Sequence, residues 1–204
     1  VVYREFFEHY NANSVSKVYI EQIIKYRDSL LGVLNPAALN FKINQIQKNI
    51  FGRKRPIALK QLLILLKETK EEDPQYAMIA YLIGDIYEAE NQFELSKKYF
   101  ALSAISDIKT ANKDNASLQR LALIFYEIGD VDMAYKLTQS AIEDALYCNV
   151  QFRTLLMSEI YSIINTAYLE REAQRKSELQ LYLILISLLS GFLIMAVIYV
   201  YRQM

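Results

Sequence analysis

Apolar positions recur along the chain at intervals of three and four residues, the period of an amphipathic helix. In SVSKVYIEQIIKYRDSLLGVL they fall at Val18, Ile20, Ile23, Ile24, Leu30 and Leu31. Asn35-Pro36 then offers a helix N-cap followed by proline at the first helical position. Phe41, Ile43, Ile46 and Ile50 carry the pattern to FGRKRP, which breaks it. Pro56 opens the next helix, with an apolar face of Leu59, Leu62, Leu63, Leu65 and Leu66. Asp73-Pro74 repeats the cap-then-proline device, and Asn91 with Glu94 three residues on reads as a capping box. No stretch alternates with period two for long enough to be a strand. With only 5 Gly and 3 Pro in 204 residues, long helices joined by short loops are expected. The chain reads as all-α.

The helices also repeat. YLIGDIYEAENQFELSKKYFALSA aligns with LALIFYEIGDVDMAYKLTQSAIED when Asn91 is set over Gly129 and Ser96 over Ala134. One further step back places Ala58 at the same small-residue position. The first copy carries much of the tetratricopeptide pattern: Tyr87 three residues after Gly84, then Ser96, Phe100 and Ser103. Small residues at Gly84, Ser96, Ser103, Ala122, Ala134 and Ala141 let paired helices approach closely. Tyr87, Phe93, Phe100 and Phe125 are expected to fill the space between pairs. One pair cannot bury its own apolar face, so about three stacked pairs share one core. The expectation is a tetratricopeptide-like α-solenoid over residues 1–148.

NVQFRTLLMSEIYSIINTAYLEREAQRKSELQ follows, with no Gly or Pro from Asn149 to Ser190. Leu156, Ile160, Ile163 and Ala167 form a stripe suited to capping the solenoid. LEREAQRKSE is charged, helix-favouring and rich in possible i,i+4 pairs. Residues 149–178 are therefore expected to be a capping and juxtamembrane helix that runs into the next segment, as a stiff coupling or as a plain stalk.

That segment is LQLYLILISLLSGFLIMAVIYVYRQM, uncharged between Glu178 and Arg202. A helix of that run is roughly 34 Å long, enough to cross a bilayer with some tilt. Tyr182 at one end and Tyr199 and Tyr201 at the other sit where interfacial aromatics belong. Residues 179–201 are expected to be a single transmembrane helix. Within it, Ser187 and Gly191 form a small-xxx-small pair suited to close helix approach and a homodimer, against the alternative of a solitary anchor.

Charge and chemistry narrow the function. Lysines and arginines balance acids at 23 each, so no global field recruits nucleic acid or acidic lipid. With one histidine, His9, in an N-terminal stretch expected to fray, and one cysteine, Cys148, the chain has no nucleophile–base pair and no zinc set. There is no Gly-rich phosphate loop, and Glu68, Glu71, Glu72 and Asp73 read as a solvated helix end. The basic FGRKRP reads the same way. No catalytic residue, cofactor or metal is expected. Binding is the better prospect, because solenoids present a surface made by the first helix of each pair. The repeat register projects Tyr81, Asp85, Glu88, Gln119, Tyr126 and Glu127 toward it. Flat tyrosine rings beside carboxylates and an amide suit an oligosaccharide or an extended peptide.

The segments SAISDIK, NASLQRLA, GDVDMAY and EDALYCN, with the apolar run that follows, resemble the sensor half of the SusR-type regulators of Bacteroidetes. The likeness covers roughly residues 75 to 201; before that the chain resembles the family only in being helical. Those regulators control starch and other polysaccharide utilisation. The resemblance implies a periplasmic tetratricopeptide-type domain, one inner-membrane helix, an oligosaccharide signal, and a cytoplasmic DNA-binding part that these 204 residues do not contain. DNA is thus a partner only through a segment not present here, and the native chain is expected to continue on the cytoplasmic side. Two alternatives remain open. One is a membrane-anchored scaffold that gathers partner proteins; the other is the sensor half of a histidine kinase.

Overall fold

The computed structural model describes residues 25–52, 54–113, 116–148 and 151–204, without the side chains of 51 and 151–157. Residues 25–33 are helical. They are followed by α1 (Leu39–Phe51), α2 (Arg55–Glu68), α3 (Pro74–Ala89), α4 (Phe93–Lys109), α5 (Ala116–Glu127), α6 (Val131–Tyr147) and α7 (Gln151–Gln203). Among the described residues there is no strand. His9 and the first part of the expected N-terminal helix lie outside the described residues.

The chain divides into two compact units, Val1–Lys113 and Asp114–Met204. In the first, α1 packs on α2, α2 on α3 and α3 on α4. Its core is Ile43 and Ile46 of α1, Ala58, Leu62 and Leu65 of α2, and Ile79, Ile83 and Ile86 of α3. In the second unit, α6 packs on both α5 and α7.

The repeat is visible in backbone geometry. The second helices of the pairs begin at Arg55, Phe93 and Val131, spaced by 38 residues. Each is entered through the same turn: the N–H groups of Lys54, Gln92 and Asp130 donate to the carbonyls of Asn49, Tyr87 and Phe125, all at 2.9 Å. Asn91 and Gly129, aligned by sequence, both take a left-handed conformation, with φ of 59° and 83°. Asparagine and glycine are the residues that adopt it at least cost. One turn into each helix, Ala58, Ser96 and Ala134 are completely buried. Gly84 is required for a different reason: a Cβ there would lie 2.8 Å from Cδ1 of Phe100, a ring with no exposed surface. The fold is an all-α, tetratricopeptide-like solenoid followed by one long C-terminal helix.

Local chemistry departs from the sequence expectation at four places. Asn35 does not cap a helix: its Oδ1 accepts from the Ala37 N–H, and α1 starts after Ala38. The Asn-Pro pair makes a turn that delays the helix by three residues. Asp73, by contrast, does cap α3, accepting from the Gln75 N–H at 2.8 Å. Asn91 supplies the left-handed turn instead of a capping box; the cap residue of α4 is Gln92, whose side chain makes no capping bond, and Glu94 pairs with Lys97. Phe93 stands 47 % exposed, since the first residue of α4 faces away from its own pair. On α7 the buried stripe is Ile160 and Ile164, with Ile163 exposed. Four-residue steps keep side chains on the docked side of this helix, and a three-residue step from Ile160 leaves it. The side chain of Leu156 lies outside the described set.

Candidate functional site

On α3, Tyr81, Asp85 and Glu88 follow at intervals of four and three and share one face. Tyr81 is half-buried and packs its ring against Phe100 of α4, centroids 5.4 Å apart and planes tilted by 52°. Asp85 and Glu88 are half-buried. A second aromatic pair, Tyr87 on Tyr99 at 5.5 Å, lies between the same two helices. Burial, with Tyr87 and Tyr76 nearby, holds the Tyr99 hydroxyl above its ordinary titration range. Open clefts also lie among the described residues of the first unit. One, of about 520 Å³, is lined by charged groups including Lys42, Glu68, Lys70, Glu72 and Asp73. Another, of about 460 Å³, runs along α2 over Leu59, Leu63 and Ile64, with Lys60 and Lys67 at its sides. Tyr81, Asp85 and Glu88 line neither.

On α5, Gln119 is buried, Tyr126 half-buried and Glu127 exposed. Gln119 and Tyr126, seven residues apart, share a face, whereas Glu127 is turned about 100° away from Tyr126. Tyr126 belongs to the turn into α6, where its carbonyl accepts from the Gly129 N–H at 3.1 Å.

That turn is gripped by α7. Arg171 Nη1 donates to the Gly129 carbonyl at 3.1 Å. Arg175 forks onto Asp132 in the first turn of α6, Nη1 to Oδ1 at 3.1 Å and Nη2 to Oδ2 at 2.6 Å. It also reaches Glu172 at 3.5 Å. Parallel bonds of this kind set orientation as well as distance. The hydrogen bond from Arg175 holds the Asp132 carboxyl below its ordinary value of 3.8. Below this grip Tyr135 of α6 stacks on Tyr168, centroids 4.1 Å apart and planes within 5°. Tyr161 lies 6.3 Å from the same ring, and Gln139 Nε2 donates to the Tyr135 hydroxyl at 2.8 Å. Burial first, then the bond to Tyr161, raises the Tyr135 hydroxyl above its ordinary range.

Sequence reasoning missed this grip, having assigned the charged stretch to pairs along its own helix. A signal was present: Tyr168, Arg171 and Arg175 continue the face of Ile160 and Ile164. Beyond it α7 runs unbroken through Leu179–Tyr201, where side chain after side chain is exposed in the isolated chain. An uncovered apolar helix of this length matches a bilayer, and it is the one candidate membrane span among the described residues. Ser187 and Gly191 stand one turn apart on it; Ser187 Oγ donates to the Leu183 carbonyl, and nothing lies within 4 Å of a Cβ built on Gly191.

Compared with known families, residues 1–159 match the SusR N-terminal TPR domain. The chain belongs to that family. The match reaches the first residue, well beyond the segment from about 75 onward in which the likeness was legible. It also ends just inside α7, so the SusR-type domain includes both units' repeat turns while Arg171, Arg175 and the span lie after it. No curated protein matches the chain. Membership in the SusR TPR family points to the sensor part of a polysaccharide-utilisation regulator, here followed by a helix that fits a single-pass membrane protein.

Proposed function

We propose that residues 1 to about 178 are a periplasmic sensor that reads an oligosaccharide, and that α7 carries its state across the inner membrane to a regulatory output. The observation behind this reading is the continuity of α7: one helix of 53 residues leaves the SusR-type domain and becomes the span without a break. A loose tether would connect the same two parts through a loop; an unbroken helix links a shift at the domain directly to the span. The tyrosine-bearing faces of α3 and α5 favour a sugar or extended-peptide ligand over a small apolar one, and a recognition role over catalysis.

Orientation rests on family membership. Arg171, Arg175 and Lys176 lie just before the span, and a cluster of this kind by itself disfavours export of the side that carries it. Large translocated domains override such local bias. Protease added to spheroplasts that make the chain with a tag at each end tests the assignment. Loss of the N-terminal tag with survival of the C-terminal tag supports a periplasmic sensor. A protected N-terminal tag sinks it and favours a scaffold facing the cytoplasm.

A further inference from the structure

We propose that Arg171 and Arg175 form a releasable clamp that sets the register of the membrane helix against the α5–α6 turn, making this turn the point where the helical repeat hands its state to the span. Its use in signalling rests on the sensor reading above, but the clamp itself is a property of the second unit alone.

Position is the first reason. Leu179 begins the apolar run four residues after Arg175, about 6 Å further along the helix. Among the described residues, Arg175 makes the polar contact from α7 to another helix that lies nearest the span. The second reason is what the clamp holds. Gly129 and Asp132 bracket the turn, which is itself built on the carbonyls of Phe125 and Tyr126 at the end of α5. Any displacement of the end of α5 therefore moves the two groups that the arginines grip. The third reason is a difference in kind between neighbouring contacts. Ile160 and Ile164 are buried and Tyr168 is stacked, so the lower part of the α6–α7 hairpin is packed. Arg175 and Asp132 are partly open to water, so that water and salt compete for their pairing as they cannot for the buried isoleucines. A packed base with a polar, releasable end gives α7 two positions relative to α6, with the pivot between Tyr168 and Arg171.

Pulsed electron–electron spin resonance on the full chain in lipid nanodiscs tests this without any ligand. In a Cys148→Ser background, spin labels at Glu143 and Ser177 report across the clamp, and labels at Glu143 and Ser162 report on the packed base. All three positions are exposed on their helices. The parent chain should give a single narrow distance for each pair. Arg171→Ala with Arg175→Ala should abolish the single distance for 143–177 while leaving 143–162 narrow. Exchanging the charges, Asp132→Arg with Arg175→Asp, should restore the narrow 143–177 distance. An unchanged 143–177 distance in the double alanine variant overturns the clamp. So does broadening of both pairs, because the arginines would then be general packing of the hairpin. A periplasmic sensor that proves misassigned by protease would leave these distances untouched, so the two ideas fail separately.

Discussion

At the scale of single residues, Gly84 shows how a repeat motif becomes a packing constraint. Phe100 occupies the space that a side chain at 84 would need. Gly84→Leu should therefore destabilise the first unit by about 3 kcal/mol through overpacking. Lys97→Ala, which removes only a partly exposed pair with Glu94, should stay within about 0.5 kcal/mol of the parent. Thermal melts that fail to separate these two variants would show that the crossing of α3 and α4 is wrongly placed. Ala111 supplies the opposite test. It sits at φ 54°, a left-handed conformation that a Cβ disfavours. Ala111→Gly should raise stability by about 1 kcal/mol, a rare gain from a helix-favouring residue replaced by glycine. A loss instead would mean that the turn after α4 does not hold this conformation in solution.

Between helices, the pairing of α6 with α7 carries a pH dependence whose sign follows from Asp132. Its carboxyl is held below 3.8 by the bond from Arg175, so the folded state favours the ionised form. The contribution is fully present above pH 3.8 and fades as the pH falls below it through the lower folded value. Melting temperatures of the parent and Asp132→Asn should therefore differ by a constant amount near neutrality and converge in stronger acid. A gap that persists far below pH 3.8 would assign the effect to shape rather than charge. Salt should narrow the gap at neutral pH as well, since the pair is partly exposed.

For the whole molecule, the dominant physical fact is that the apolar surface of Leu179–Tyr201 is left exposed by the described residues of the chain. Removing residues 179–204 should turn a detergent-requiring chain into a water-soluble one, with the helical circular dichroism of the remaining residues nearly intact. If the truncated chain still needed detergent, the exposed apolar residues of the repeats, such as Ile57, Ile64 and Ile108, would have to be buried in the membrane or a partner as well.

Sequence by itself determined the fold class, the 38-residue period and the extent of the apolar run, because each depends on spacing along one chain. Helical periodicity, small residues at Ala58, Ser96 and Ala134, and the absence of charge from 179 to 201 need no knowledge of neighbours. Asp73 was legible as a cap for the same reason. Tertiary structure decided what depends on distant partners. Asn91 became a left-handed turn because the chain must reverse there, and a side-chain pattern cannot distinguish that from a cap. Tyr81 was projected toward a binding surface, and its ring also packs on Phe100, a contact set by how α3 crosses α4. Arg171 and Arg175 looked like two more charges on a solvated helix. Only the folding of α7 back along α6 brought them to Gly129 and Asp132, 42 and 43 residues earlier, and no local pattern encodes a contact of that separation.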